Sequence, residues 1–525
     1  MGKLSESLLG YPDKEAAVFL AKGFLDGFKI PVAQTPPPSK IYKNLKSAGQ
    51  HEDVLKQKIE KEVKAGRMAG PFEVLPIEGL VVSPLGVVPK KEQGKFRMIQ
   101  HLSYPVGASV NDALDKEQCK VQYQSFDEAL EIVKGQGDRA LLAKVDIESA
   151  FRLLPLHPES FKLTGCYFQG AFFVDLCLPM GCAISCSYFE MFSTFLHWLI
   201  CQWSGNAAIA HYLDDFLIIG PKQTGKCQET LLIFLQMLKE LGVPVADEKT
   251  VQPTTKLTFL GIEIDTKARR CRLPRDKVEK SKQAIHNLMG TKKVTLREMQ
   301  QTLGLLNFAC RIIPMGRIFK RRLEKATTGV KKPFHKIRIT KELRADLGVW
   351  DSFLTEFNGI RLWLSETRNN RELELLTDAS GSIGYGAYFA GKWCAGRWPQ
   401  AWRELGLTKN LTLLELFPIV VALELWAGDF RDKAIRFISD NMGVVCAVNN
   451  LSSDSAPVIN LLRQLVLICM RFNISFRAQH IPGVENTLAD ALSREKWDLF
   501  FKLAPNAAKT PHNCPDNLWQ LVNLS

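Results

Sequence analysis

Two short apolar runs flank a polar pair near the middle of the chain, in residues 211–220 (HYLDDFLIIG). The β-branched and aromatic residues predict two strands, with Asp214 and Asp215 at the tight turn between them. Adjacent carboxylates repel each other, and a divalent cation with a preference for oxygen ligands removes that penalty. The pair alone also fits a solvated hairpin turn, because Asp is common in turns.

Further apolar runs predict an α/β arrangement around this hairpin. Residues 141–151 (LLAKVDIESAF) predict a buried strand ending at Asp146 and turning into a helix. Residues 172–181 predict a strand before a long helix, and residues 257–264 predict one more strand. Active residues of α/β folds collect at the carboxyl ends of strands. We therefore expect Asp146 to complete a metal site with Asp214 and Asp215.

A basic hairpin is predicted upstream, within a β-like stretch at residues 77–111. Its strands carry Lys90, Lys91, Lys95 and Arg97. Such residues usually face solvent, but a polymerase needs cations to hold an incoming triphosphate. Residues 1–70 are interpreted as a lead-in without chemistry of its own.

The chain returns to α/β character after residue 373. Strands are predicted to end at Asp378 and Asp440, a helix carries Glu415 near its start, and the last helix carries Asp490. His480 opens a loop between them. Each acid alone is more often a helix cap or a solvated residue, and the polar tail after Trp497 is expected to be weakly ordered.

Charge and length indicate a multidomain protein with a polyanionic partner. A chain of 525 residues is too long to fold around a single hydrophobic core. The net charge is +13, with a pI near 9.0. Residues 276–365 look helical, and residues 311–344 hold twelve Lys or Arg against two acids, a net +10. This concentration, which includes Arg321 and Arg322, favours a phosphate-binding face over a solvated surface.

Cysteine spacing and hydropathy exclude several classes of protein. Thirteen cysteines show no paired CxxC spacing with His partners, so a zinc site is not expected and the thiols fit a reducing compartment. The sequence has no signal-peptide pattern and no uninterrupted apolar run of bilayer length. We expect an intracellular protein, cytoplasmic or nuclear, without a membrane partner.

The order of these predicted strands, with Asp146 first and the Asp214–Asp215 turn later in the chain, resembles the palm of a reverse transcriptase. Asp146 matches its first motif, residues 178–181 (LPMG) the second, residues 212–215 (YLDD) the third, Lys249 the fourth and residues 260–261 (LG) the fifth. The resemblance implies that Asp146, Asp214 and Asp215 bind two Mg²⁺ or Mn²⁺ ions, which activate the primer hydroxyl and neutralise pyrophosphate. It implies the following further roles: Lys249 as proton donor to the leaving group, Arg97 and Lys90 as triphosphate contacts, Phe151 beneath the sugar, and Met180, Gly181 and Tyr212 at the substrate, Met180 standing where the family usually has Gln.

Residues 101–112 (HLSYPVGASVND) are similar to the fingers of DIRS-like retrotransposons, including Ngaro-type elements, which encode a tyrosine recombinase. The chain shows no Asp-Ser/Thr-Gly protease motif and no His-His-Cys-Cys integrase site. Residues 335–338 match a recombinase-like HxxR, but no tyrosine follows Tyr388 to act as nucleophile. A recombinase is therefore expected elsewhere in the element.

The C-terminal acids resemble the active site of RNase H. The resemblance implies that Asp378, Glu415, Asp440 and Asp490 bind two ions, with His480 assisting proton transfer or product release. It implies cleavage of the RNA strand of RNA–DNA hybrids.

Together these patterns predict an α/β and α+β multidomain protein: a right-hand polymerase with fingers, palm and thumb, followed by an RNase H-like mixed sheet with helices. The expected partners are an RNA template, a DNA primer, RNA–DNA hybrid and deoxyribonucleoside triphosphates. A domesticated nucleic-acid-binding protein without catalysis remains the alternative. The expected segments are a lead-in (1–70), fingers and palm (71–275), a basic thumb or connection (276–368), an RNase H domain (369–497) and a tail (498–525).

Overall fold

The structure is a computed structural model that describes residues 2–34, 36, 40–90, 94–358, 367–369, 372–480 and 486–523. Its chain divides into two compact units. The first contains Met1–Leu260 and Asp265–Lys267, and the second contains Gly261–Ile264 and Ala268–Ser525.

The first unit combines eight helices with small antiparallel sheets in its described residues. Its helices are α1 (Gly2–Leu9), α2 (Lys14–Asp26), α3 (Lys46–Gln50), α4 (Glu52–Lys64), α5 (Val110–Ala113), α6 (Phe126–Gly135), α7 (Ala183–Ser204) and α8 (Lys226–Leu241). Its strands are β1 (Met68–Phe72), β2 (Leu85–Pro89), β3 (Phe96–Gln100), β4 (Leu141–Asp146), β5 (Gly165–Phe168), β6 (Ala171–Asp175), β7 (Ile209–Tyr212), β8 (Asp215–Gly220), β9 (Val251–Thr254) and β10 (Lys256–Phe259).

The sheet that carries the predicted carboxylates has the strand order β7-β8-β4-β9, with every neighbouring pair antiparallel. Alternate residues of β4 and β8 face a core that is filled by aromatic side chains of α7 and α8, including Phe189, Phe195 and Phe234. Full burial of such side chains is the main force that fixes these strands.

The N-terminal residues belong to the same core. Leu8 and Leu20 are almost fully buried, and Phe28 packs its ring 5.9 Å from that of Tyr188 on α7. β1 pairs with β6, so the segment boundary expected after residue 70 falls inside a strand.

Two strand predictions are wrong in their extent. The strand expected at residues 257–264 is broken at Leu260 and Gly261, whose φ angles of +47° and +74° turn the chain between β10 and β11 (Ile262–Asp265). The strand expected at residues 172–181 ends at Asp175. The β-like stretch at residues 77–111 contains one hairpin, β2–β3, followed by the short helix α5, which Ser109 and Asp112 begin with a capping box.

The second unit contains a helical part and a sheet-containing part. The helical part is formed by α9 (Arg275–Met289), α10 (Leu296–Ala309), α11 (Arg317–Thr327) and α12 (Lys341–Glu356), with the strands β12 (Arg270–Arg272), β13 (Lys293–Thr295) and β14 (Lys336–Arg338). β13 and β14 form an antiparallel pair, so the helical prediction for residues 276–365 omitted two strands. The part of that prediction from residue 359 to 365 lies outside the described residues.

The sheet-containing part has strands in both relative directions, as the fold prediction required. β16 (Leu375–Ala379), β17 (Gly384–Phe389) and β18 (Lys392–Arg397) are antiparallel, whereas β15 (Thr367–Asn369), β19 (Ala434–Ser439) and β20 (Ser475–His480) are parallel. The helices are α13 (Gln400–Glu404), α14 (Leu411–Trp426), α15 (Met442–Asn450), α16 (Ala456–Arg471), α17 (Thr487–Ser493), α18 (Trp497–Leu503) and α19 (Asp516–Asn523).

The expectation of a weakly ordered tail is wrong. Leu518 is fully buried, and the Trp519 ring lies 4.7 Å from that of Phe417 on α14. The indole of Trp393 donates to the Ala508 carbonyl at 2.7 Å. Large aromatic side chains in a polar segment bury enough area to dock it on the sheet-containing part.

Several arginines of the basic stretch bind the protein itself. Arg321 on α11 donates to the Asn450 carbonyl at 3.0 Å and to Ser452. Arg344 donates to the carbonyl of Met289, the last residue of α9, and to that of Thr291 beyond it. Arg322 lies 3.6 Å from the buried carboxylate of Asp346. Three of the twelve cations therefore make contacts within the protein.

Among the described residues, one stretch, Leu411–Phe430, is apolar and long enough to cross a membrane by length and composition alone. Of its most apolar window, 67% is buried inside the protein, as in the core helix of a folded domain. Glu415 and Glu424 interrupt its apolar surface.

Candidate functional site

The first candidate site lies at one end of the β7-β8-β4-β9 sheet. Asp146 is the last residue of β4 and is the register partner of Asp215, the first residue of β8. Leu213 and Asp214 form the turn before β8, and the Asp214 carbonyl accepts from the Ile147 amide at 3.0 Å. Strand pairing thus brings Asp146 to the adjacent pair Asp214 and Asp215 from a distant position of the sequence.

Two lysines reach these carboxylates. Lys249 Nζ lies 2.7 Å from Asp146 Oδ1, so the fourth-motif lysine does lie at the cluster. Lys144 Nζ lies 2.8 Å from Asp215 Oδ1, a partner that the sequence interpretation missed although it lies only two residues before Asp146. The cluster therefore contains three acidic and two basic side chains.

Burial and repulsion change the protonation of this cluster. Burial, together with the charges of Asp146 and Asp215, raises the pKa of Asp214 to about 6. Burial also raises the pKa of Asp146; the Lys249 contact opposes this shift and Asp215 adds to it. Such perturbed groups are typical of functional sites.

The donor set suits a hard divalent cation, because it consists of carboxylates that repel one another. No three Asp, Glu, His or Cys side chains of the described ranges enclose a metal ion as they stand. Lys249 and Lys144 contact oxygens that a cation would take, so binding requires these ammonium groups to withdraw.

A buried acid on α7 holds the turn. Glu190 accepts from the Leu213 amide at 3.0 Å and lies 3.3 Å from His211 Nε2, while His211 Nδ1 lies 2.7 Å from His197 Nδ1. Burial, together with His211, lowers the pKa of His197 to about 4, so His197 is neutral at physiological pH. The role of Glu190 was not predicted; the only hint of it in the sequence is that it is a single acid within an apolar helix.

The predicted substrate-binding residues differ in their surroundings. Gly181 has φ +108°, and a Cβ there would lie 2.9 Å from the Gln100 carbonyl, so a larger residue is excluded. The Tyr212 ring lies 4.6 Å from that of Tyr123, which sequence patterns did not reveal. Phe151 is half-buried with its ring 5.7 Å from that of Phe189, and Met180 is also half-buried.

The predicted triphosphate contacts lie on the β2–β3 hairpin. Arg97 is exposed on β3, and the exposed Lys90 closes the hairpin through its amide, which donates to the Lys95 carbonyl at 2.7 Å. Lys91 lies outside the described residues. No contact of the described structure joins Arg97 to the three carboxylates.

The second candidate site brings together the four C-terminal acids. Asp378 lies on β16, Glu415 on α14, Asp440 directly after β19 and Asp490 on α17. Ser493 Oγ donates to Asp378 Oδ2 at 2.5 Å, and Asp490 is held by Arg494 and by Lys496 at 3.3 Å. These three partners were not predicted.

His480 ends β20, with its Nε2 3.1 Å from the Asp440 carbonyl. The loop that it opens, residues 481–485, lies outside the described residues. The predicted histidine thus lies beside one of the four acids.

The second site also concentrates negative charge. Burial, together with the charges of Asp378 and Asp440, raises the pKa of Glu415 to about 8. Burial raises the pKa of Asp378, which Asp490 and Asp440 reinforce and Ser493 opposes. For Asp490, burial raises the pKa, but the hydrogen bonds from Arg494 and Lys496 outweigh it and the net shift is downward.

Comparison with known proteins shows what the part of the chain around the first site resembles. Residues 88–264 match the family model described as "Reverse transcriptase (RNA-dependent DNA polymerase)". This part of the chain is similar to reverse transcriptase domains, and it contains Asp146, Asp214, Asp215 and Lys249.

The wider resemblance is to retrotransposon polyproteins. The chain is 22% identical over 522 residues to the transposon Tf2-3 and Tf2-4 polyproteins of Schizosaccharomyces pombe, which covers 95% of this chain and 33% of each polyprotein. The chain therefore spans about a third of the length of these curated relatives. They support a retrotransposon protein that carries a reverse transcriptase.

Two solved structures share the fold. The foamy viral protease-reverse transcriptase in complex with dsDNA has a TM-score of 0.51 at 18% identity, with 92% of this chain and 98% of that chain covered. A related complex described as dRH, with ds DNA, has a TM-score of 0.51 at 19% identity, with 92% and 82% covered. This likeness agrees with the predicted multidomain fold.

Stability should depend on pH through Glu415. Its folded pKa of about 8 lies above the ordinary value of 4.5, so the folded state retains a proton that the unfolded state loses first. The contribution of Glu415 to stability should be complete below pH 4.5, fall as pH rises to about 8 and then stay constant. Glu415→Gln should therefore stabilise the metal-free protein at pH 8 by roughly 2–4 kcal/mol, at about 1.4 kcal/mol per pKa unit.

Denaturant unfolding in EDTA at pH 5 and pH 8 measures this effect. Glu356→Gln, at an exposed position of α12, is the matched control and should change stability little at either pH. A Glu415→Gln variant with the same pH dependence as wild type would contradict the assignment.

Proposed function

We propose that this protein is an RNA-directed DNA polymerase of a retrotransposon that also cleaves the RNA strand of RNA–DNA hybrids. One observation carries the proposal. Asp146 meets the adjacent pair Asp214 and Asp215, which lies almost seventy residues later in the sequence, at the end of one sheet inside the region that matches reverse transcriptases.

Asp146, Asp214 and Asp215 would hold the Mg²⁺ or Mn²⁺ ions of the polymerase site. Such ions activate the primer hydroxyl and neutralise the charge of the departing pyrophosphate. Lys249 has two successive functions in this proposal. In the free protein its ammonium group balances the charge of Asp146, and after the ammonium group has withdrawn from Asp146 it donates a proton to the leaving group. Glu190 keeps the Leu213 amide, and with it the Asp214 turn, in place.

The remaining contacts of the polymerase site recognise substrate. Arg97 and Lys90, which are exposed on the β2–β3 hairpin, bind the triphosphate. Gly181 admits close approach of substrate next to Met180, and Tyr212 supports the primer end beside Tyr123. RNA template, DNA primer and deoxyribonucleoside triphosphates are the proposed partners.

In the second site, Asp378, Glu415, Asp440 and Asp490 would hold two further ions that activate water. The raised pKa of Glu415 means that this acid gives up its proton when a cation binds. His480 beside Asp440 is placed to move a proton or to assist product release.

We further propose that the element is DIRS-like, with its tyrosine recombinase encoded elsewhere. The support is the likeness of residues 101–112 to the fingers of such elements. The segments proposed are 1–70, 71–275, 276–368, 369–497 and 498–525, with the last segment docked on the RNase H-like part.

Substitutions in the two sites should separate the two activities. Asp214→Asn should lower primer extension on an RNA template by several orders of magnitude, at about 1.4 kcal/mol per factor of ten, and leave hybrid cleavage unchanged. Asp440→Asn should abolish cleavage of labelled RNA in a hybrid and preserve primer extension. Each variant is the control for the other.

The outcomes discriminate among the alternatives. Primer extension at the parental rate by Asp214→Asn would contradict the palm assignment, and normal cleavage by Asp440→Asn would remove Asp440 from the second site. A wild-type protein that binds hybrid but shows neither activity would indicate a domesticated binding protein.

Phe151 should select the sugar of the incoming nucleotide. A rigid ring beneath the sugar leaves no room for a 2′-hydroxyl, so Phe151→Val should raise ribonucleotide use and lower deoxyribonucleotide use only modestly. The ratio of kcat/KM for the two sugars measures this selection.

The contact between Phe151 and Phe189 supports a competing role in core packing. That role predicts a loss of about 1–3 kcal/mol of stability and equal damage to both substrates. An unchanged kcat/KM ratio would contradict the sugar gate.

A further inference from the structure

A basic ribbon projects from the helical part of the second unit. We define it as residues 293–297 and 331–338, which contain the antiparallel pair β13–β14. Its exposed cations are Lys293, Arg297, Lys331, Lys332, Lys336 and Arg338. The two segments contain no acidic residue.

Buried side chains and backbone hydrogen bonds hold the ribbon in place. Val294, Leu296 and Ile337 are buried, and the amides of Leu296 and Arg297 donate to the carbonyls of His335 and Pro333 at 2.8 and 3.0 Å. The cations therefore stand on a fixed backbone.

Like charges face each other across the ribbon. Lys293 is the register partner of Arg338, and both side chains are exposed. Like charges in opposite positions of a strand pair destabilise it. The adjacent acid, Glu298, is engaged by Thr295 in the capping box that begins α10. An anionic partner would relieve the repulsion.

An aromatic ring stands among these cations. Phe334 is 68% exposed, with Lys332 Nζ 5.8 Å from its ring centroid and the His335 ring 5.2 Å away. A single exposed Phe is ordinary on a protein surface. An exposed ring within a dense basic patch, however, is the combination that binds single-stranded nucleic acid, because phosphates pair with the cations and a base stacks on the ring.

We propose that the basic ribbon binds single-stranded nucleic acid, with its cations on successive phosphates and Phe334 stacked on one unpaired base. Arg321, Arg322 and Arg344, three of the eight cations of the basic stretch that lie outside the ribbon, are engaged within the protein. The choice of a nucleic acid as the anion rests on the proposed function, whereas the surface itself does not depend on either catalytic site.

The test measures binding of the full chain in EDTA to a fluorescent dT20 strand and to an abasic 20-mer of equal charge. Removing two phosphate contacts by the double variant Lys331→Gln/Lys332→Gln should weaken binding to both strands. It should also flatten the slope of log affinity against log salt by about 1.4, at about 0.7 per phosphate of a single strand. The double variant Lys502→Gln/Lys509→Gln, at exposed positions elsewhere in the unit, is the charge-matched control.

Phe334→Ala tests stacking separately from charge. It should weaken binding of dT20 about tenfold, which is within the range for one stacked base, and leave binding of the abasic strand unchanged. A salt slope of the Lys331/Lys332 variant equal to that of the control would overturn the proposal. Equal affinities of Phe334→Ala and wild type for dT20 would do the same.

Primer extension by the same preparations separates this result from the proposed function. If the ribbon variants fail the binding test while the protein extends primers, the proposal for the ribbon is wrong and the proposed function stands. A ribbon that passes in a protein without polymerase activity leaves this inference standing and counts against the proposed function.

Discussion

The constraint on which the first unit depends is the mutual repulsion of carboxylates that strand pairing forces together. Asp146 and Asp215 are register partners, and Asp214 follows in the adjoining turn, so the fold cannot separate their charges. The protein answers with Lys249 and Lys144 at the edge of the cluster and with Glu190 under the turn. The second unit repeats this arrangement with different elements, where Glu415 is kept protonated by burial and by its acidic neighbours. In both sites the repulsion among carboxylates destabilises the folded state in the absence of metal ions, and cation binding would relieve that repulsion.

Much of the first site could be predicted from sequence because its signals are local. An apolar run that ends in an acid is visible at Asp146 and again at Asp215, and strand pairing then needs few further assumptions. Lys144 was missed although it lies on β4 two residues before Asp146. Tyr123 at the first site and Ser493 at the second could not be predicted in this way, since both reach their site through tertiary packing. The turn at Leu260 and Gly261 was missed because the apolar pattern continues through it and does not reveal a left-handed backbone.

The basic stretch shows where composition misleads. A net +10 over residues 311–344 suggested one surface, yet the structure uses Arg321, Arg322 and Arg344 to join helices and loops of the same unit. The bidentate guanidinium group suits such contacts with carbonyls and carboxylates. Phe334 is exposed among the cations Lys331, Lys332 and Lys336. The tail was misjudged for a related reason, since a few aromatic residues outweigh the polar average of a segment.

The central claim is tested most directly by the effect of Mg²⁺ on the stability of Asp214→Asn. Because burial and two neighbouring carboxylates raise the pKa of Asp214 to about 6, a neutral Asn should stabilise the protein in EDTA at pH 8, by up to roughly 2–3 kcal/mol at about 1.4 kcal/mol per pKa unit. The same variant should gain much less than wild type when Mg²⁺ is added, because one ligand is lost. Thermal unfolding with and without Mg²⁺ measures both effects. A variant that is less stable than wild type in EDTA and equally stabilised by Mg²⁺ would contradict the account.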